Sequence, residues 1–288
     1  MPQTAFTLSK PTRRTTAVVF ASPHSGRNYP WTFMRRSALD ELALRSSEDA
    51  FVDELFEDAT QYGAAFIKAG APRAYVDLNR AADELDPVLI EGVRKNGHNP
   101  RVSSGLGVIP RVVANGRVIY DGKIPLSEAK RRIDTYWHPY HAELKAQLDQ
   151  AYAMFGKAIL VDCHSMPHEA MDSVVRSGIK RPEIVLGDRF GAAASEEIVD
   201  LVEQAFSSAG LAVTRNTPFA GAFITQHYGR PTSGRHAVQI EIDRSLYMNE
   251  RLVEPNENFA AFKKLLASVI PQLADIGRPA QAQRLAAE

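Results

Sequence analysis

KAILVDCHS, residues 157–165, is an apolar run that stops abruptly in Asp162-Cys163-His164-Ser165, and a second stretch, AVVFASPHSG at 17–26, ends the same way in His24-Ser25. Short runs rich in Val, Ile and Leu, closed by Ser, Pro or Gly, read as buried strands. Working outward, SSEDAFVDELFEDATQYG (46–63) has a serine cap, early acids, an apolar stripe at Val52, Leu55, Phe56 and Ala59, and a closing glycine, which predicts a helix. AAFIKA (64–69) and RAYVDLNR (73–80) follow as strand patterns. GVIPRVV and RVIY flank ANG (114–116) as a hairpin. LSEAKRRIDTYWHPYHAELKAQLDQAYAMFG (126–156) is the longest helical pattern, capped by Ser127 and broken or kinked at Pro139. A helix over 195–210, a strand at LAVTRN (211–216), a strand at HAVQIEIDRSLY (236–247) and a closing helix over 256–275 complete the pattern. Strands spaced by such helices predict a mostly parallel sheet covered on both faces. The expectation is one domain, 1–278, with a loop-rich insertion near 81–125 and a frayed tail over 279–288.

Bulk properties narrow the partners. The chain of 288 residues carries 34 Lys+Arg against 34 Asp+Glu, so no basic surplus points to nucleic acid or a membrane surface. No segment approaches a membrane span, and the single cysteine, Cys163, fits a reducing compartment. The expectation is a cytoplasmic protein acting on a small molecule.

Open α/β sheets bind ligands beyond the carboxyl ends of their strands, which is where His24 and His164 fall. An imidazole there either caps a loop carbonyl or binds a metal, and the repeated strand-His-Ser pattern favours the metal. Asp162 shares the face of His164 and can orient its ring, whereas Cys163 points away. A catalytic zinc needs a third protein ligand. On a helical wheel over 46–63, Glu48 lies closest to the apolar stripe and Asp49 next, and the same acids also suit a helix N-terminus, so periodicity leaves the choice open. Glu241 in HAVQIEIDRSLY shares one strand face with Gln239 and Asp243. Carboxylates there belong either to an edge strand with a wet face or to chemistry. Asn79-Arg80 offers a fork for a carboxylate, and His227 and Arg230 in FITQHYGRP can meet a polar substrate or simply sit on a loop.

Taken in order, SPHSG, EDAFVDELF, VDLNR, WHPYH, DCHS, ITQHYGRP and VQIEIDRSLYMNE resemble the N-formylglutamate amidohydrolase family over roughly 16–250. That family groups with zinc carboxypeptidase-like hydrolases and is related to aspartoacylases. The resemblance implies a three-layer α/β/α sandwich with a central mixed, mostly parallel sheet, and one zinc ion per chain. It implies His24 and His164 as zinc ligands, Glu241 as the catalytic glutamate, and Asn79 with Arg80 as the grip on a substrate α-carboxylate. The carboxypeptidase pattern places a glutamate ligand three residues after the first histidine, where this chain has Arg27. The amidohydrolase pattern instead implies Asp49 as third ligand. The expected reaction is hydrolysis of N-formyl-L-glutamate or a related N-acyl acidic amino acid. A serine hydrolase using Ser22, Ser25 or Ser165 and a non-enzymatic binder of acidic metabolites are the rivals; the first lacks a G-x-S-x-G elbow.

Overall fold

The computed structural model describes residues 4–94, 99–172 and 180–279. Seven strands form one sheet: β1 (Phe6–Ser9), β2 (Val18–Ser22), β3 (Ala65–Ala69), β4 (Ala158–Met166), β5 (Ile184–Gly187), β6 (Val213–Arg215) and β7 (Arg235–Asp243), in the order β1-β3-β2-β4-β7-β5-β6. The central pairs β3-β2, β2-β4 and β4-β7 are parallel; β1 joins β3, and β5 joins β7, antiparallel. The sheet is therefore mixed and mostly parallel, as expected. β1 and β5 are additions that short runs without clear alternation do not announce.

Two faces of the sheet are covered by different helices. The helices in chain order are α1 (Trp31–Arg36), α2 (Glu41–Arg45), α3 (Val52–Leu55), α4 (Pro100–Ser103), α5 (Leu126–Arg132), α6 (His138–Phe155), α7 (Glu196–Ser208), α8 (Phe223–Tyr228) and α9 (Phe259–Asp275). On one face Phe20, Val161, Cys163, Val238 and Ile240 pack against apolar residues of α3, α7 and α9. On the other, Val19, Ala21, Leu160 and Ala237 meet Tyr140, Leu144, Leu148 and Ala151 of α6. The spacing Tyr140, Leu144, Leu148, Ala151 is the stripe that turns a helix toward a sheet. Alternation along β4 then fixes the site: Asp162 and His164 continue the α6 side, Cys163 the opposite side.

Several local expectations are corrected. Residues 46–63 are not one helix: α3 is short, a 3-10 segment covers Glu57–Tyr62, and Phe51 has a left-handed backbone with φ 65°. A non-glycine residue there costs about 1–3 kcal/mol and is held by surrounding structure. RAYVDLNR forms turns rather than a strand, and the 107–120 hairpin is reduced to one bridge, Val112 to Val118. Helix 126–156 is not broken at Pro139, which lies in the first turn of α6. It runs through a π-helical turn, Ile133–Trp137, just before the proline. A wider turn there accommodates a residue that cannot donate to the carbonyl four positions back. β7 is interior, between β4 and β5, so the wet edge offered as an explanation for Glu241 does not exist. Residues 280–288 of the expected tail and 95–98 of the expected insertion lie outside the described residues. Among the described residues no helix is long and apolar enough to cross a membrane.

Candidate metal centre

The site forms where β2 and β4 end side by side. After β2 the chain turns through Ser-Pro-His-Ser-Gly, and Gly26 lies so close to the 70–80 loop that a Cβ there would sit 2.2 Å from the Ala71 carbonyl oxygen. Only glycine permits that approach. It sets His24 facing His164, their ring centroids 4.8 Å apart. Asp49 arrives from the segment before α3, its N–H donating to the His24 carbonyl at 3.0 Å.

Three acceptor atoms then converge. Asp49 Oδ2 lies 3.2 Å from His24 Nδ1 and 2.9 Å from His164 Nδ1, and the two Nδ1 atoms are 3.1 Å apart. The outer nitrogens each face a buried carboxylate: His24 Nε2 is 2.7 Å from Asp77 Oδ1, and His164 Nε2 is 3.0 Å from Asp162 Oδ2. The Asp162 contact is one of charge, since neither of its oxygens makes an aligned hydrogen bond. Carboxylates at Nε2 draw the ring proton there and leave Nδ1 as a lone pair pointing inward. Two such lone pairs and a carboxylate oxygen repel unless a cation or a proton lies among them. His24, Asp49 and His164 are accordingly a buried group able to hold a metal ion. Without one, protonation takes its place: burial opposes the imidazolium, but Asp162 and Asp49 outweigh it and hold His164 well above the ordinary histidine range. Burial likewise opposes the Asp49 carboxylate, yet the two imidazoles hold its pKa well below the usual value.

Neighbouring side chains complete the electrostatics. Arg244 donates to Asp49 Oδ1 at 3.0 Å and to Ser165 Oγ at 3.1 Å; Arg73 donates to Asp77 Oδ2 at 3.1 Å. Asp49 and Asp77 are thus each matched by an arginine. Glu241 lies opposite His164 in the parallel ladder, hence beside it on the same face, and its Oε1 accepts from Gln239 at 2.8 Å. Burial pushes Glu241 up to about 7. These residues border a cavity of about 590 Å³, which Asn79 and Arg80 also line.

The structure brings together some predicted residues and separates others. Asp49, not Glu48, faces the imidazoles; Glu48 is buried against Arg45 Nε at 3.3 Å. The wheel fails because no helix exists at 46–51. Asn79 Oδ1 accepts from the Ile224 N–H at 2.8 Å, and its amide nitrogen lies 3.4 Å from Gln239 Oε1. His227 and Arg230 are not among the residues that line this cavity; they border a neighbouring one of about 1100 Å³, and Arg101 borders both. Arg27 pairs with Asp53 and Glu54. Asp77, Arg73, Gln239 and Arg244 were missed by sequence reading, although Asp77 sits two residues before Asn79 and Arg244 directly after Asp243. The serine rival loses its geometry: Ser22 and Ser25 bond to each other, Ser165 is held by Arg244, and none of the three bonds an imidazole among the described residues. Cys163 is buried, and burial raises its thiol well above the ordinary range.

Residues 16–248 match the family described as N-formylglutamate amidohydrolase. The N-formylglutamate deformylases of Pseudomonas putida and Pseudomonas aeruginosa are 29% and 28% identical, each over 81% of this chain and over 82% and 83% of their own lengths. The crystal structure of an N-formylglutamate amidohydrolase from Ralstonia eutropha JMP134 superposes with a TM-score of 0.87 at 36% identity, covering 94% of this chain and 97% of that one.

Proposed function

The chain belongs to the N-formylglutamate amidohydrolase family, and from that premise we propose that this hydrolase of an amide bond cleaves N-formyl-L-glutamate to formate and glutamate at a zinc site made by His24, Asp49 and His164. The observation that carries the proposal is the convergence of His24 Nδ1, His164 Nδ1 and Asp49 Oδ2 in a cavity that also holds Glu241 and Arg80. Two imidazoles and one carboxylate are a donor set suited to zinc with a position left open for chemistry. Zinc there would supply a Lewis acid for the formyl carbonyl and acidify water.

The chain's own residues do the rest. Glu241, poised near neutrality by burial, takes a proton from the attacking water and passes it to the departing amine. Asp77, hydrogen-bonded to His24 Nε2, holds that imidazole in the tautomer that presents Nδ1 inward, and the Asp162 charge beside His164 Nε2 favours a proton there too. Arg244 donates to Asp49 Oδ1 and so turns Oδ2 toward the imidazoles. Arg80, buried and with its Nε and Nη1 spent on the carbonyls of Leu106 and Asn79, has its remaining guanidinium edge for the substrate carboxylate. Asn79, locked between Ile224 and Gln239, fixes the chain beside it.

Release of the free amino acid from a panel of N-formyl, N-acetyl and N-succinyl amino acids tests the proposal. N-formyl-L-glutamate should be the best substrate. Efficient cleavage of an acetyl or succinyl amide with the formyl compound untouched would contradict it.

A further inference from the structure

Four arginines line the cavity that holds the imidazoles: Arg73, Arg80, Arg101 and Arg244. Two are neutralised inside the protein, Arg73 by Asp77 and Arg244 by Asp49. Arg80 and Arg101 pair with no carboxylate among the described residues. Their placement is linked through one residue. The Leu106 carbonyl accepts from Arg80 Nε at 2.9 Å, while the Leu106 N–H donates to the Arg101 carbonyl at 2.8 Å. The Asn99 side chain, which accepts from the Arg101 N–H at 3.0 Å and donates to Glu84 at 3.1 Å, anchors the start of α4. Two guanidiniums without a carboxylate partner among the described residues therefore border one cavity, on segments that Leu106 ties together. Burial, and after it Arg73 and Arg101, press the Arg80 pKa down against the pull of Asp77, so an anion between the two would relieve an existing repulsion.

We propose that Arg101 selects for dicarboxylates, its guanidinium receiving the second carboxylate of the substrate while Arg80 receives the first. The inference rests on the formylglutamate reading and assigns that site a residue that distinguishes acidic from neutral N-formyl amino acids. Arg101 is solvent-exposed and borders both this cavity and the neighbouring one of about 1100 Å³. Its contribution belongs at the low end for a charge-assisted hydrogen bond, roughly tenfold in kcat/KM.

The test compares N-formyl-L-glutamate with N-formyl-L-glutamine in the wild type, Arg101→Met and Arg101→Lys. In Arg101→Met the preference for the glutamate compound should fall roughly tenfold, through a raised KM with kcat largely kept, and Arg101→Lys should restore part of it. An unchanged preference, or an equal loss for both substrates, overturns the role of Arg101 while leaving the formylglutamate reading intact. A wild type that turns over neither compound overturns both.

Discussion

Asp49 is tied to His24 twice, through its backbone N–H on the His24 carbonyl at 3.0 Å and through its Oδ2, 3.2 Å from His24 Nδ1. One residue thus sets both the path of the loop and the donor set at its end. The neighbouring Glu48 is as buried but faces Arg45.

Replacing these two acids separates them. Asp49→Asn should lower bound zinc from about one per chain to a small fraction, while Glu48→Gln retains it. Because Asp49→Asn also strips Arg244 of its partner, a stability loss of about 3–5 kcal/mol accompanies it. Metal content is read on the folded fraction only. Full zinc in Asp49→Asn, or none in Glu48→Gln, would reverse the assignment.

The carboxylates behind the imidazoles make a graded prediction. Asp77→Asn and Asp162→Asn should each weaken zinc affinity about 10- to 100-fold without abolishing it, as outer partners of metal-bound histidines do. Competition with a chromogenic chelator gives the numbers. Unaltered affinity in both variants would leave the two aspartates without this role.

Glu241→Gln should keep the metal and lose about 100- to 10,000-fold in kcat. The proton acceptor must be ionised, so in the wild type kcat/KM falls as pH drops through its pKa. Burial, opposed by the charge of His164, raises that value to about 7. A bound cation pulls it lower, so the acid limb should lie at or below neutrality. A profile flat down to pH ~4 would exclude Glu241 as base.

His141 makes stability depend on pH away from the site. Its ring is buried between the Tyr228 hydroxyl and the Leu78 carbonyl, each 2.9 Å away, and burial pushes its pKa down to about 3. An unfolded chain binds this proton near pH ~6.5, the folded one only near its depressed value. The contribution is complete above pH ~6.5 and is lost as pH falls toward that value, by up to about 1.4 kcal/mol per pH unit. Urea midpoints should therefore drop less steeply between pH ~6.5 and ~4.5 in His141→Gln than in the wild type. Parallel slopes would show that the ring does not titrate with unfolding.

Much of the site was legible because its histidines end strands. The runs before His24 and His164 are apolar and β-branched, and period two places Asp162 beside His164 without any knowledge of the fold. Glu241 was legible as a carboxylate out of place. What failed was set by contacts distant in sequence. The helical pattern of 46–63 is genuine in its apolar stripe, yet Phe51 adopts a left-handed backbone and Asp49 donates to His24, so the chain turns where local preference would continue the helix. RAYVDLNR has strand composition, but its Asp77 and Asn79 are engaged with His24 and Ile224 instead of a ladder. His227 in α8 and Arg230 just beyond it look suited to a substrate in one dimension; in the fold both border the neighbouring cavity.

The central claim is that formyl transfer to water depends on a metal held by His24, Asp49 and His164. Its most direct test is turnover of N-formyl-L-glutamate by chelator-stripped protein before and after one equivalent of zinc. The account predicts activity near background when stripped, recovery saturating at about one zinc per chain, and no recovery in His24→Ala/His164→Ala. Full turnover by the stripped protein would contradict it.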